Sequence, residues 1–212
     1  MKNFCLILTL CLTLSCAKQV KTDMRILSYT GNVNVNTHAV TKINVTLNRG
    51  DSIETMINSS CDIIINEKNI LRLKPDSKLT LKISDNESVL QLDKGWLAGV
   101  TRRQFSRQGK FYIQTPALTA AVKGTSFCLK VVNEKSTYVC ICNGSIELTG
   151  KGSSNSETLA AAHHAARKFT IDRNGALIED NSPGVLYHDD SEIEQMAGII
   201  SEIIDWSNPD LH

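Results

Sequence analysis

Aromatic residues are scarce in this 212-residue chain, at 5% of positions, and net charge is nearly absent, at +1 with histidine neutral. The first shortage forces any core to be built from aliphatic side chains, for which a hydrophobic content of 42% suffices. The second removes the long-range attraction that would draw the chain to nucleic acid or to an anionic membrane surface. Neither nucleic acid nor a bare lipid surface is expected as a partner. Catalytic signatures are missing as well: the chain has no Gly-x-Ser-x-Gly, no phosphate-binding Gly-rich loop and no His-Glu-x-x-His. Glu147, Asp172 and Glu179 are scattered without the spacing of an acid/base pair, so the chain reads as non-enzymatic.

The one long apolar run, Phe4 to Leu14, is too short to span a bilayer. Following Met1-Lys2-Asn3, it has the n-region and h-region of a secretory signal peptide. It stops at Leu14-Ser15-Cys16-Ala17, which resembles a bacterial lipobox, where the cysteine is lipidated after cleavage. Thr13 stands where leucine is commonest in that pattern, which leaves ordinary cleavage as the rival. The expected organisation is a signal peptide over 1–15, a lipidated tether over 16–24, a β domain over 25–188 and a C-terminal helix and tail over 189–212. Such a chain belongs in the cell envelope, anchored through lipid on Cys16, with its domain in the periplasm.

From Arg25 onward, short apolar alternations follow one another at the period of half-buried strands. Val33 and Val35, Ile43, Val45 and Leu47, Leu79, Leu81 and Ile83, then Leu90 and Leu92 each place aliphatic groups on one face. Turn residues interrupt them at Gly31, Arg49-Gly50-Asp51, Pro75-Asp76, Asp85-Asn86 and Lys94-Gly95. Strands this short and closely spaced predict a mainly-β fold, a sandwich, barrel or β-solenoid. Lys151 to Ser156 reads as a polar loop, and Leu159 to Ile171 as a late strand or, over Ala160 to Ala166, a helix.

Phe111-Tyr-Ile-Gln-Thr115-Pro116 leads into Val122-Lys-Gly124-Thr125-Ser-Phe127 and then a strand ending in Asn143-Gly144. Upstream stand Gly50-Asp51 after a strand and Leu92-Asp-Lys-Gly95. In this order the elements resemble the periplasmic domain of the FecR family, bacterial envelope sensors and regulators, over about residues 47–148. The resemblance implies the same mainly-β architecture and a binding, sensing or scaffold role toward an envelope protein or glycan. Familiar FecR regulators also carry a cytoplasmic sigma-factor-binding domain and a transmembrane helix. Neither has a counterpart in this sequence, so no anti-sigma role of its own is expected.

Four cysteines lie in the expected domain: Cys61, Cys128, Cys140 and Cys142. Phe127, Leu129 and Val131 alternate with Cys128, while Val139 and Ile141 alternate with Cys140 and Cys142. A hairpin turning at Asn133 to Lys135 that keeps the apolar positions in register puts Cys128 opposite Cys140, with three sulfurs on one outward face. In an oxidising compartment these read as disulfides or buried free thiols. The competing reading is a metal or redox site in which Cys128, Cys140 and Cys142 join His163 or His164, a set suited to zinc or another transition metal. For the histidines the simpler reading is one imidazole bonded within the sheet and the other in water.

At the C-terminus, Ser191-Glu-Ile-Glu194 has capping-box form and opens a run with Ile193, Met196, Ala197, Ile200, Ile203 and Ile204 at helical spacing, stopping by Pro209. Its acidic polar face argues for docking on its own sheet rather than on a membrane or partner. Arg102, Arg103, Arg107 and Lys110 beside Trp96 and Phe105 form a basic cluster that reads as a solvated face, with an anionic glycan or phosphate as the alternative.

Overall fold

The computed structural model describes residues 23–84, 87–102, 111–180 and 183–208. The signal segment, Cys16, Arg103, Phe105, Arg107, Lys110 and Pro209 lie outside the described residues. In chain order the strands begin with β1 (Met24–Thr30), β2 (Val33–Val35), β3 (His38–Ala39), β4 (Val45–Thr46), β5 (Ser52–Thr55), β6 (Ser60–Ile65), β7 (Asn69–Leu73) and β8 (Lys78–Ile83). They continue with β9 (Ser88–Thr101), β10 (Phe111–Gln114), β11 (Leu118–Val122), β12 (Thr125–Asn133), β13 (Ser136–Gly150), β14 (Ser156–Ala161), β15 (Ala165–Ile171) and β16 (Leu177–Asp180). One helix, α1 (Asp190–Ile199), follows. The fold is mainly β with a C-terminal helix, as the alternation predicts.

One sheet runs β4-β1-β6-β7-β9-β12-β13-β15-β16 and the other β3-β2-β5-β8-β9-β10-β11-β13-β14. Every described pairing is antiparallel except β9 with β10. Strands β9 and β13 belong to both sheets. The first half of β9 pairs with β8 and β10, and its second half, from Gly95 on, with β7 and β12. Likewise β13 pairs with β12 and β15 before Gly144, then with β11 and β14.

Each crossing falls on a glycine with positive φ, Gly95 at 80° and Gly144 at 107°. A bend of that kind is open to glycine because no Cβ opposes it. Space is short there too: a Cβ on Gly95 would lie 2.5 Å from Ser77 Cα and 2.6 Å from the Asp76 carbonyl oxygen.

Two cores result. Between the sheets lie Ile26, Ile63, Leu71, Leu97, Phe127 and Ile141 with other aliphatic side chains, all removed from solvent. On the far side of the first sheet, Ile64, Ile70, Val100, Cys128 and Cys140 meet Ile193, Met196 and Ala197 of α1. The first sheet is therefore covered on both faces, so Ile63, Ile64 and Ile65 form a continuous apolar run rather than an alternation. The helix docks on its own domain, consistent with its one-sided pattern.

Its start differs from the expected one. Asp189 is the N-cap, in extended conformation, and its carboxylate accepts a hydrogen bond from the Glu192 N–H at 2.8 Å. Ser191 instead accepts from Gln195, and Glu194 accepts from the Trp206 indole. Helical structure also ends at Ile199, so Ile203 does not join the apolar face and is 89% exposed. The segment left open between strand and helix resolves into β14 and β15, joined by a turn at His163-His164.

Candidate functional site

The β12–β13 hairpin has the expected register, with Cys128 opposite Cys140, Phe127 opposite Ile141 and Leu129 opposite Val139. Phe127, Leu129, Val139 and Ile141 enter the core between the sheets, while Cys128, Cys140 and Cys142 take the other face. That face is not outward as the alternation alone suggests. The C-terminal segment covers it, and all three cysteines are fully buried. Cys61 sits apart in the inter-sheet core, where burial, aided by Asp62, lifts its thiol to about 12. All four carry free thiols.

Two of the chain's five histidines, His164 and His188, lie over Cys140 and Cys142. His164 Nδ1 lies 3.6 Å from Cys140 Sγ, and His188 Nε2 lies 3.2 Å from Cys142 Sγ. The donor atoms of Cys140, Cys142, His164 and His188 all fall within 4.8 Å of one another. His163 points away from the sulfurs, half exposed, toward Asp190 at 3.0 Å. Cys128 borders the cluster without being among those four donors. The arrangement therefore brings together Cys140, Cys142 and His164 from the expected set and adds His188.

Local structure explains each placement. Cys140 and Cys142 share a face because both project from the same side of β13. His164 occupies the left-handed region, φ 49°, with its N–H donating to the Cys142 carbonyl at 3.0 Å, which folds its ring back over the strand. His188 precedes the helix cap. Its neighbour Tyr187 is held edge-on between Trp96 and Tyr138, at ring separations of 4.3 and 5.3 Å. Lys130 Nζ lies over both the Trp96 and Tyr187 rings. The Tyr138 hydroxyl accepts from the Leu186 N–H at 2.9 Å and donates to the Gly184 carbonyl at 3.2 Å. Farther along, the Asn143 amide donates to the carbonyls of Ala162, Asp205 and Asn208.

Changing Tyr138 to Phe leaves the ring in place but removes both bonds to the 184–186 segment. The expected cost is about 1–2 kcal/mol in urea denaturation, with faster amide exchange at Leu186. Unchanged exchange there would show that Tyr138 does not hold the segment.

Charge inside the cluster is unevenly held. A hydrogen bond from Cys142, opposed by burial and supported by His188, lowers the Cys140 thiol to about 4. Burial and the neighbouring Cys140 push the Cys142 thiol well up. Burial works against a charged His188, but Cys128 and Cys140 outweigh it and hold the imidazole's pKa up at about 10. His188's shortest sulfur contact is nevertheless to Cys142, so the thiolate is a property of the cluster rather than of one sulfur. Paired soft sulfurs and imidazole nitrogens form a donor set suited to a tetrahedral transition metal.

The other singled-out residues have structural roles. Thr115 and Pro116 turn β10 into β11: Thr115 Oγ1 accepts from the Leu118 N–H, and its N–H donates to the Leu118 carbonyl. Thr125 Oγ1 donates to the Asn143 carbonyl at 2.9 Å, beside Gly144, following Gly124 at φ 71°. Gly50 and Asp51 form the turn into β5, with the Asp51 carboxylate accepting from the Asn48 N–H and from Asn36. Of the basic cluster, Arg102 is described and pairs with Glu202. Asp172 accepts from the Asn174 and Ala176 N–H groups of its own turn, and Glu179 pairs with Arg167.

The fold defines a mainly-β domain, closed through β9, β10, β11, β13 and β12, whose helix-covered sheet carries a Cys/His cluster. Residues 51–147 match the family described as FecR protein, and this stretch of the chain is a FecR domain. Among solved structures, the chain is similar to two crystal structures, at 1.65 and 2.50 Å, of a candidate anti-sigma factor from Parabacteroides distasonis. Identity is 15% and 14%, and in both the similarity covers 62% of this chain and 59% of that one at a TM-score of 0.48. The chain thus spans under two thirds of that relative's length. A search of curated proteins gave no match.

Sequence reasoning missed His188. It stands 46 residues beyond Cys142 and follows no ligand spacing. Its proximity depends on the chain returning across β13 before α1, which no local pattern encodes.

Proposed function

We propose that this chain is a lipid-anchored, non-enzymatic sensing or scaffold module of the bacterial cell envelope, binding a protein or glycan of that compartment. The observation that carries this reading is the FecR match over 51–147, which supports a signalling or sensing module. The signal-peptide form ahead of Cys16 supports the address and the anchor. A binding role rather than turnover is supported by how the charges are used in one surface groove, which Tyr29, Asp62, Arg72, Lys74 and Glu192 help to line. Arg72 holds Asp62 through two bonds of 2.7 and 2.9 Å, and Lys74 reaches Glu192 at 2.7 Å. Charges paired in this way shape a surface without leaving an acid or base poised for proton transfer.

The test is to express the full chain in a Gram-negative bacterium with labelled palmitate and to fractionate the cells. Wild-type protein is expected in the membrane fraction with label. Cys16→Ser is expected to lose the label and the membrane association. Label that persists in Cys16→Ser, or wild-type protein confined to the cytosol, would refute the anchor and address.

A further inference from the structure

The cluster over β13 has the features of a closed tetrahedral metal site. In a zinc centre with Zn–S near 2.3 Å and Zn–N near 2.0–2.1 Å, a sulfur and a nitrogen ligand are separated by about 3.6 Å. The two sulfur–nitrogen distances here, 3.6 Å for Cys140 with His164 and 3.2 Å for Cys142 with His188, already fall near that edge. Both imidazoles are also held from behind. His164 Nε2 lies 2.6 Å from Asp190 Oδ1 and His188 Nδ1 lies 2.9 Å from the Leu186 carbonyl, which leaves His164 Nδ1 and His188 Nε2 to face the sulfurs. An outer carboxylate or carbonyl on the far nitrogen is the usual support of a metal-bound histidine, since it fixes both tautomer and ring orientation.

We propose that Cys140, Cys142, His164 and His188 bind one zinc ion, with Asp190 orienting His164, and that the metal clamps the C-terminal segment to the first sheet. Two thiolates neutralise a divalent ion, and the protons that the metal-free cluster holds pass to solvent as it binds. Four protein ligands leave no open position, so the site is a structural or sensory one. The ligands come from three separated parts of the chain: β13, the β14–β15 turn and the linker into α1. Loading the site therefore ties α1 down, and losing the metal frees the linker. This site stands on its own geometry, independent of where the chain resides.

The experiment uses the full chain, reduced, with zinc as the probe, metal content after desalting and affinity by chelator competition. One zinc per chain is expected for wild type. Cys142→Ser and His188→Ala are expected to weaken binding at least 100-fold, and Asp190→Asn about 10–100-fold. Cys128→Ser and Cys61→Ser are expected to retain it. Limited proteolysis between residues 183 and 208 should slow on adding zinc to wild type and not to His188→Ala. His188 lies at the edge of the fold, so its variant reports on ligation even if Cys142→Ser misfolds. The proposal is overturned if reduced wild type binds no zinc, if His188→Ala binds as tightly as wild type, or if Cys128→Ser loses the metal as fully as Cys142→Ser. A quantitative Cys128–Cys140 disulfide in the protein as isolated would overturn it as well.

Discussion

Replacing Ile193 and Met196 together with alanine is expected to lower the free energy of unfolding by about 4–8 kcal/mol, a large share of what holds a domain folded. Both side chains are fully removed from solvent in the core beneath α1, against Ile64, Ile70, Val100 and Cys140. Truncating such a residue costs roughly 2–5 kcal/mol from lost burial and the cavity left behind. The two positions share one core, so their effects will not add in full. Ile203→Ala serves as the control, since that side chain is exposed and its loss should move stability by no more than about 0.5 kcal/mol. Urea denaturation of the three proteins decides the matter. A double variant within about 2 kcal/mol of wild type would mean that α1 is an ornament on a domain complete without it.

The second large effect is at Gly95. Alanine there meets two penalties: a positive φ that an L-residue resists, about 1–2 kcal/mol, and overlap with the Ser77 backbone, about 1–3 kcal/mol. Gly95→Ala is therefore expected to cost about 2–5 kcal/mol. Gly50 has a similar φ of 88° but open space around it, so Gly50→Ala should pay the conformational penalty alone. The difference between the two isolates the close packing where β9 crosses between sheets. Ser77 Oγ accepts from the Trp96 N–H at 2.8 Å, so displacing Ser77 would also open the strand beyond the bend. Equal losses at the two glycines would show that the crossing is not tightly packed.

These positions show how much could be read from the chain. The strands over 25–150, the break at Lys94-Gly95 and the pairing of Cys128 with Cys140 follow from period-two alternation and turn chemistry, because both are local. The FecR signature was legible as an ordered set of residues. Its physical meaning was not: Gly95 and Gly144 mark where two long strands pass from one sheet to the other, and Thr125 bonds beside the second crossing. Alternation assigns side chains to two faces but cannot say whether the second face meets water or a helix. For that reason Cys128, Cys140 and Cys142 read as outward and are buried. Nor could it place His188, whose approach to Cys142 depends on Tyr187 and Leu186 being held by Trp96 and Tyr138 from distant strands. His163 and His164 were equivalent in sequence, and a single left-handed residue separates them, turning one ring to the sulfurs and the other toward solvent.

X-ray absorption at the zinc edge on the reduced, zinc-loaded full chain tests the central claim most directly, because it counts the ligands by type. The expected result is two sulfur ligands at about 2.3 Å and two imidazole nitrogens at about 2.0–2.1 Å. Three sulfurs would return Cys128 to the site and remove His188 from it. A shell of oxygen and nitrogen without sulfur would contradict the site altogether.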